Sequence, residues 1–542
     1  MGHAAVSTPE NIGNTEHPSS PKGTKSSVKP EGLEGADTPI ALAAPSALGA
    51  HYRPAPHFLT LGPGYADAVD AAHFPRVLLR YRNQAAAGSI GLAGLPDTAW
   101  LEHFGRFKPL AGNLPAPLAQ RYHGHQFRSY NPQIGDGRGF RFAQMLETQP
   151  EGAQPSRSSA SALPHAPRLM DLGTKGSGTT PYSRSGDGRL TLKGAVREIL
   201  ASEMLYAHGA NSSRTLSVIE TGEALHRSDE PSPARSAVMV RLTHSHIRIG
   251  TFQYHAYHRD HDRLLALAHY VLKHYYSDDC PTPPTSTPNL VNTLLSLVGR
   301  SIAQQAADLM TSGFVHGVLN TDNINLTGEI FDFGPWRFLP KMDMQFTAAY
   351  FDSTGLYAYG RQAEALQWNL YQLAACFLDI CDEKSMRRTL EPFSDWYQTA
   401  FRSALLARLN LTPTNNAEDD TLLSSVSQFL MESDVGFEDF FFDWFGGSEA
   451  AHTAQNGPRA AYYKASDTAR QTASLLSARA SRTAQPRSHA YFQQDAPCSM
   501  LIGEVESIWA RISEHDNWSA LHAKLAHIKT MQEALRPSRT AL

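Results

Sequence analysis

Residues 314–336 read FVHGVLNTDNINLTGEIFDFGPW. The segment INLTGEIF (324–331) alternates apolar residues around a Thr-Gly pair, which predicts a short hairpin. Such a hairpin sets Asn323 and Asp332, at its two ends, side by side. Amide and carboxylate oxygens so placed suit a hard divalent cation such as Mg²⁺, which takes oxygen ligands. Immediately upstream, NLVNTLLSLVGRSIAQQAADLMTSG (289–313) carries the apolar spacing of a long amphipathic helix that runs straight into the stretch.

The order His316-Gly317, then Asn323, then Asp332-Phe333-Gly334 is similar to the catalytic end of protein kinases. Kinases put an aspartate two residues after the histidine, where it accepts the proton of the acceptor hydroxyl. Here that place is Val318. Either the chain no longer does chemistry, or its base sits elsewhere.

Glycine-rich, basic segments lie further upstream. NPQIGDGRGFRF (131–142) carries Gly135, Gly137 and Arg138. Glycines let backbone N–H groups approach phosphate oxygens, and arginine adds a planar double donor. By itself such a loop reads as a tight turn. The same tetrapeptide recurs in YSRSGDGRLTL, with Asp187 and Gly188. Between the copies, DLGTKGSGTT ends an expected strand at Lys175, and LKGAVREILASEML opens a helix carrying Glu198. A lone Lys–Glu pair is a commonplace surface contact. A lysine among glycines, a glutamate on the next helix and the downstream Asn and Asp-Phe-Gly together read as a nucleotide site.

Arg241 and Arg248 stand seven residues apart in SAVMVRLTHSHIRIGTFQY (236–254), which reads as strand. On a regular strand they face opposite sides, so only a bulge or bend brings both to one ligand. Otherwise one contacts phosphate and the other is solvated. The spacing alone leaves both readings open. His123 and His125 in YHGHQF lack a third ligand at zinc spacing, so they are expected to be structural or hydrogen-bonding.

Bulk properties bound the remaining classes. The chain has 542 residues, 41% hydrophobic, and a net charge of −4, which argues against a nucleic-acid or membrane-surface partner. No apolar run reaches membrane-spanning length and no secretory h-region opens the sequence. Val6 stands where a myristoylation motif wants Ser or Thr. Four cysteines without metal or redox spacing suit free thiols in a reducing compartment, so a cytoplasmic protein is expected.

The expected organisation is α+β and bilobal, like a protein kinase. A Ser/Pro-rich disordered tail covers 1–50, and a strand-rich nucleotide-binding part covers 51–259, with a polar surface loop at 148–167. A helical part spans 260–435, with helices near 263–276, 289–313, 362–382, 386–408 and 420–434. A helical extension spans 436–542, and the aromatic run FEDFFFDWF (437–445) is expected to anchor it on the core.

Taken together, YHGHQFRSYNPQIGDGR, KGSGTTPYSRSGDGR, RLTHSHIRIGTF, GFVHGVLNTDNINLTGEIFDFGP and FDSTGLYAYGRQAEALQWNL resemble the SelO (selenoprotein O) family of pseudokinase-fold protein adenylyltransferases. The resemblance runs from about 121 to 375. It departs from the family pattern in His123-Gly124-His125, where Gly-Gly-His is usual, and most of all in the C-terminal part.

The resemblance implies transfer of AMP from ATP to Ser, Thr or Tyr hydroxyls of proteins, with ATP bound in a pose inverted relative to kinases. It implies a nucleotide site of Gly135, Gly137, Arg138, Lys175, Asp187, Gly188, Arg241 and Arg248, joined by Asp332, with Glu198 supporting the lysine. It implies Mg²⁺, or Mn²⁺ in its place, on Asn323 and Asp332, and Asp322 as general base. A γ-phosphotransferase using Asp322, or a non-catalytic nucleotide-binding scaffold, are the competing readings.

Overall fold

The alternating run around residue 240 sits at the centre of the main sheet. In the computed structural model, which describes residues 48–49, 51–148, 167–227 and 231–535, it forms strand Ala234–Thr243. The strands in chain order are β1 (Ala66–Ala68), β2 (Leu78–Arg82), β3 (Leu118–Gln120), β4 (Gly124–Gln126), β5 (Ser129–Asn131) and β6 (Arg141–Leu146). They continue with β7 (Leu169–Lys175), β8 (Leu190–Thr191), β9 (Arg214–Leu225), β10 (Ala234–Thr243), β11 (Phe314–Val315) and β12 (Arg337–Phe338). The principal sheet runs β1-β3-β6-β7-β10-β9-β2, with β8 on β10, and its pairings are antiparallel.

Period-2 alternation on β10 explains how this sheet is buried on both faces. Val238, Val240 and Leu242 pack with Trp100, Phe104, Phe107, Phe140 and Phe142. Ala237 and Met239 face the other way, onto Leu192, Ala195 and Ile199 of the helix Leu192–His208. That helix is capped by Thr191, whose side chain accepts from the Gly194 N–H, and ends at Gly209 in the left-handed region.

Strand structure does not continue to 254, as the sequence pattern suggested. β10 stops at Thr243, and a helix, Ile249–Tyr257, starts at Arg248. The Thr251 hydroxyl accepts from the Arg248 N–H at 3.3 Å, half of a capping box that starts a helix where apolar alternation alone reads as strand.

The helical part follows the expected apolar spacing. Helices occupy His261–Tyr275, Thr287–Thr311, Gln362–Ala375 and Asn416–Glu432. Leu290, Val291, Leu294, Leu295, Val298 and Ile302 form the buried stripe of the longest. The segment near 386–408 is two helices, Glu383–Leu390 and Phe393–Arg408, because Pro392 cannot continue the first. In FEDFFFDWF, all five Phe and the Trp are buried around helix Phe437–Asp443, so the run anchors the chain as expected.

Of the expected N-terminal tail, residues 1–47 and 50 lie outside the described residues, as do 149–166 of the 148–167 loop. Among the described residues no helix is long and apolar enough to cross a membrane.

A buried ion pair stands under the sheet. Arg141 on β6 and Asp171 on β7 are fully buried and bonded to each other. Asp171 also accepts from Gln144 Nε2 at 2.7 Å and the His246 N–H at 2.9 Å, while Arg141 lies 4.1 Å over the Phe58 ring. Removing one partner strands an uncompensated charge, so Arg141→Met is expected to cost about 3–5 kcal/mol in urea unfolding. A loss below about 1 kcal/mol refutes this pair as a structural support.

Candidate active site

The segment 320–332 reaches its place by pairing with the strand-rich part on both sides. The Ile249 N–H donates to the Ile324 carbonyl at 2.9 Å, and the Leu326 N–H to the Ile247 carbonyl at 3.0 Å. On the far side, the Ile330 N–H donates to Asn211 at 2.9 Å and its carbonyl accepts from Ser213 at 3.0 Å. The expected INLTGEIF hairpin is therefore not a two-stranded ladder. Its arms pair outward instead of with each other, and a turn at Gly328 (φ +68°) joins them. Glu329 holds that turn inside, accepting from the His244 N–H at 2.9 Å, Thr327 Oγ1 at 3.1 Å and Asn325 Nδ2 at 3.3 Å.

Asp332 is the electrostatic centre. Lys175 Nζ donates to Asp332 Oδ1 at 3.0 Å and to Glu198 Oε1 at 2.6 Å, so the expected Lys–Glu pair forms. Arg241 Nη2 lies 3.3 Å from Asp332 Oδ1 and 3.4 Å from Glu198. Arg248 Nη1 donates to Asp332 Oδ2 at 3.1 Å and to the Asp322 carbonyl at 2.8 Å. The strand's end before Arg248 thus brings both arginines to one carboxylate, which resolves the alternatives that spacing left open. Burial alone would raise the Asp332 carboxyl, but Lys175, Arg241 and Arg248 outweigh it and hold it well below the usual range. Asp332 also has φ +58°, a left-handed conformation uncommon outside glycine.

A cavity of about 820 Å³ opens between these groups. It is lined by Gly135, Gly137, Arg138, Lys175, Asp187, Gly188, Arg241, Arg248, Asp322, Asn323 and Asp332, so it gathers every sequence-derived site residue except Glu198, which stands behind Lys175. Val318 lines it too. The individual surroundings differ. Arg138 is exposed, and its carbonyl accepts from the Gly176 N–H at 2.7 Å, which joins the first glycine loop to the end of β7. Asp187 turns its carboxylate to Arg227, at 2.7 and 3.0 Å. Gly188 has φ +68°, and a Cβ there would stand 2.2 Å from the Gly178 carbonyl oxygen.

Asp322 sits differently from Asp332. Its Oδ1 is buried without a hydrogen-bond partner. Burial pushes the carboxyl up to about 6 against the opposing pull of Arg248, and the charge of Asp332 adds to the rise. A hairpin, β4–β5, holds the turn Thr321–Asn323 from outside. The His125 N–H donates to Thr321 Oγ1 at 2.7 Å and the Phe127 N–H to Asn320 Oδ1 at 3.0 Å. Gln126 hydrogen-bonds the Asp322 carboxyl. A Cβ on Gly124 would stand 2.7 Å from Asp322 Oδ1, so this close approach needs glycine.

Sequence reasoning did not single out Gly124, Gln126 or Asp136, although each lies inside a quoted motif. Asp136 accepts from the Gln120 N–H at 3.0 Å and lies 3.4 Å from Arg248 Nη2. The histidines of YHGHQF hydrogen-bond as expected. His123 Nδ1 lies 2.8 Å from the Tyr130 hydroxyl and His125 Nδ1 2.7 Å from Gln253 Nε2.

The donor set suits Mg²⁺ held jointly with phosphates rather than in a closed protein cage. Asn323 Nδ2 is committed to the Val318 carbonyl at 3.0 Å, which leaves its Oδ1 as the oxygen it could offer a cation in the cavity that Asp332 also lines. Among the described residues no group of three or more His, Cys, Asp or Glu side chains could hold a metal by itself.

Known proteins share much of this sequence. A family model described as protein adenylyltransferase SelO matches residues 48–529. The chain is 39% identical over 504 residues to the protein nucleotidyltransferase YdiU of Trichodesmium erythraeum, covering 89% of this chain and 98% of that one. It is 42% identical over 395 residues to the protein of the same name from Trichormus variabilis, covering 72% and 76%. The Gloeobacter violaceus protein of that name is 37% identical over 507 residues, covering 91% and 98%.

The raised Asp322 carboxyl has a consequence for stability. Its folded value, about 6, lies above the ordinary 3.8, so its contribution is fully present at low pH and is lost as pH rises through 6. Asp322→Asn removes that loss. The variant is expected to be more stable than the parent by about 2–3 kcal/mol at pH 7.5, the gain vanishing toward pH 4. Urea unfolding at the two pH values checks this, and a gain independent of pH contradicts it.

Proposed function

The chain belongs to the SelO family of protein adenylyltransferases, and on that footing we propose how its own residues carry out AMP transfer from ATP to protein hydroxyls. The observation that carries the reading is Asp322: a buried carboxylate, not paired with a cation at its side chain, in the lining of a cavity that Lys175, Arg241 and Arg248 also line. A group whose pKa is raised to about 6 is ionised at neutral pH and still basic enough to take a proton from an aligned hydroxyl.

In this reading the Asp322 carboxylate accepts the proton of an acceptor Ser, Thr or Tyr hydroxyl. The hydroxyl oxygen bonds to the α-phosphorus in line, the bond from that phosphorus to the bridging oxygen breaks, and pyrophosphate leaves. Lys175, Arg241 and Arg248 meet the charge that develops, and the backbone of the Gly135–Arg138 loop and of Gly188 approaches the phosphates. Glu198 keeps Lys175 extended toward the site. Asn323 and Asp332 would hold Mg²⁺, which when bound adds charge neutralisation at the phosphates. ATP binds inverted relative to kinases, so that the α-phosphate faces Asp322. We read residues 51–259 and 260–435 as the two lobes of a kinase-like fold, with 436–542 as a helical extension.

Incubation with ATP labelled at the α or the γ position tests the transfer. Label on protein from the α position only is expected; label from γ only indicates a phosphotransferase, and label from neither indicates a scaffold. Asp332→Ala is expected to abolish transfer, and full activity in that variant refutes its role as a ligand. The proton acceptor must be ionised, so kcat/KM is expected to fall below pH 6, with an acid limb at about 6 that Asp322→Asn eliminates together with most of the rate.

A further inference from the structure

The β4–β5 hairpin that steadies Asp322 ends in a turn with an unusual composition. Its two connecting residues, Phe127 and Arg128, have φ +51° and +63°. Two-residue hairpin turns with both φ values positive favour Asn-Gly or Gly-Gly, because a Cβ crowds the backbone carbonyl there and only Gly, or Asn through local hydrogen bonding, tolerates it well. A phenylalanine held in this conformation is strained, and it is also 37% exposed.

Phe127 does not stand alone. Its ring lies 5.8 Å from Phe351, which in turn lies 5.1 Å from Tyr350. Phe351 is 49% exposed and Tyr350 89%. Beneath them Tyr357, buried, touches the Phe127 ring at 5.1 Å and donates its hydroxyl to Asn320 Oδ1 at 2.8 Å. Asn320 Oδ1 also accepts the Phe127 N–H at 3.0 Å, so the ridge is fastened to the residue two positions before Asp322. Beside the rings lies an exposed ion pair, with Arg128 3.4 Å from Glu364 and its guanidinium over Trp368 at 5.4 Å. The rim therefore presents aromatic surface next to a weak surface pair, and it adjoins the turn that carries the proposed base.

We infer that Phe127, Tyr350 and Phe351 form an acceptor platform, which receives a bulky apolar side chain of the acceptor polypeptide close in sequence to the hydroxyl being modified. The inference rests on Asp322 acting at that hydroxyl. The β4–β5 hairpin is bonded to Thr321 and Asn320, and Gln126, next to Phe127 in the chain, lines the cavity together with Asp322, so the platform adjoins the place where the acceptor hydroxyl would be held. Apolar side chains placed there lose water-exposed area on both sides. The strain at Phe127 is then understandable as the cost of presenting a rigid ring at a fixed distance from the base.

The test uses the full chain with ATP, Mg²⁺ and a mixture of synthetic hydroxyl-bearing peptides varied at each position flanking one Thr, modified sites being read by mass spectrometry. Phe127→Asn keeps a residue that tolerates the left-handed turn, and Phe351→Ser removes the second ring. The parent enzyme is expected to prefer Leu, Phe or Met over Asp or Gly at one flanking position. Each variant is expected to lose about tenfold in kcat/KM for the preferred peptide, chiefly through KM, and to lose the preference, while ATP affinity and melting temperature hold. Phe127→Leu is expected to restore part of the preference. Parent labelling without an apolar preference, or a preference that both variants keep, overturns the platform. So does self-labelling of the enzyme from α-labelled ATP with every peptide left unmodified. Absence of α-label from enzyme and peptides alike instead removes the transfer reading on which the platform depends.

Discussion

The carboxylate of Asp332 is the constraint on which the rest of the site depends. Three cations from the strand-rich part converge on it: Lys175 from the end of β7, Arg241 from β10, and Arg248 from the start of the following helix. Isolated buried charges are strongly disfavoured, and a cluster survives only when the opposite charges are distributed among all members. Glu198 and Asp136 supply the remaining negative charge, the first to Lys175 and Arg241, the second to Arg248. The cluster therefore ties β7, β10, the Glu198 helix and the first glycine loop to the segment 320–332. It is also the region where a polyphosphate's charge would have to be met.

The two aspartates of that segment show how environment divides labour between like groups. Asp332, surrounded by cations, is held ionised well below the ordinary range, which suits the ligand role proposed for it. Asp322, ten residues earlier in the chain and shielded by Gly124, Gln126 and the hairpin, is raised to about 6, which suits the proposed base. On the proposed reading, the loss of an aspartate at Val318 is a change of position. The carboxylate has moved to the turn Thr321–Asn323, where its Oδ1 is left without a partner.

Much of this was legible in residue order. Apolar spacing located the long helix before the motif and the aromatic anchor at 437–445, because both bury a continuous face and tertiary context reinforces the local pattern. The Lys175–Glu198 pair followed from a lysine at a strand end and a glutamate on the next helix. The errors came where apolar alternation continued but the hydrogen bonding changed. β10 ends at Thr243 because a capping box starts a helix, and the arms of INLTGEIF find partners at Ile247–Ile249 and Asn211–Ser213 instead of each other. Pro392 was a legible break that a coarse reading of 386–408 passed over. The β4–β5 hairpin is hidden in the sequence by brevity, at three residues to a strand.

The residue types and their order determined, by themselves, that this chain carries a glycine-rich, strand-forming half, a helical half and an acidic motif of the SelO kind. These are local properties, set by which side chains can donate, accept or bury, and they survive without coordinates. Only the tertiary structure decided that Arg241 and Arg248 reach the same carboxylate, that Asp322 is desolvated while Asp332 is neutralised, and that an aromatic rim borders the base. A pKa, a convergence of charges and an exposed patch depend on distances between residues far apart in the chain. No spacing along the sequence encodes those distances until the sheet and helices have packed.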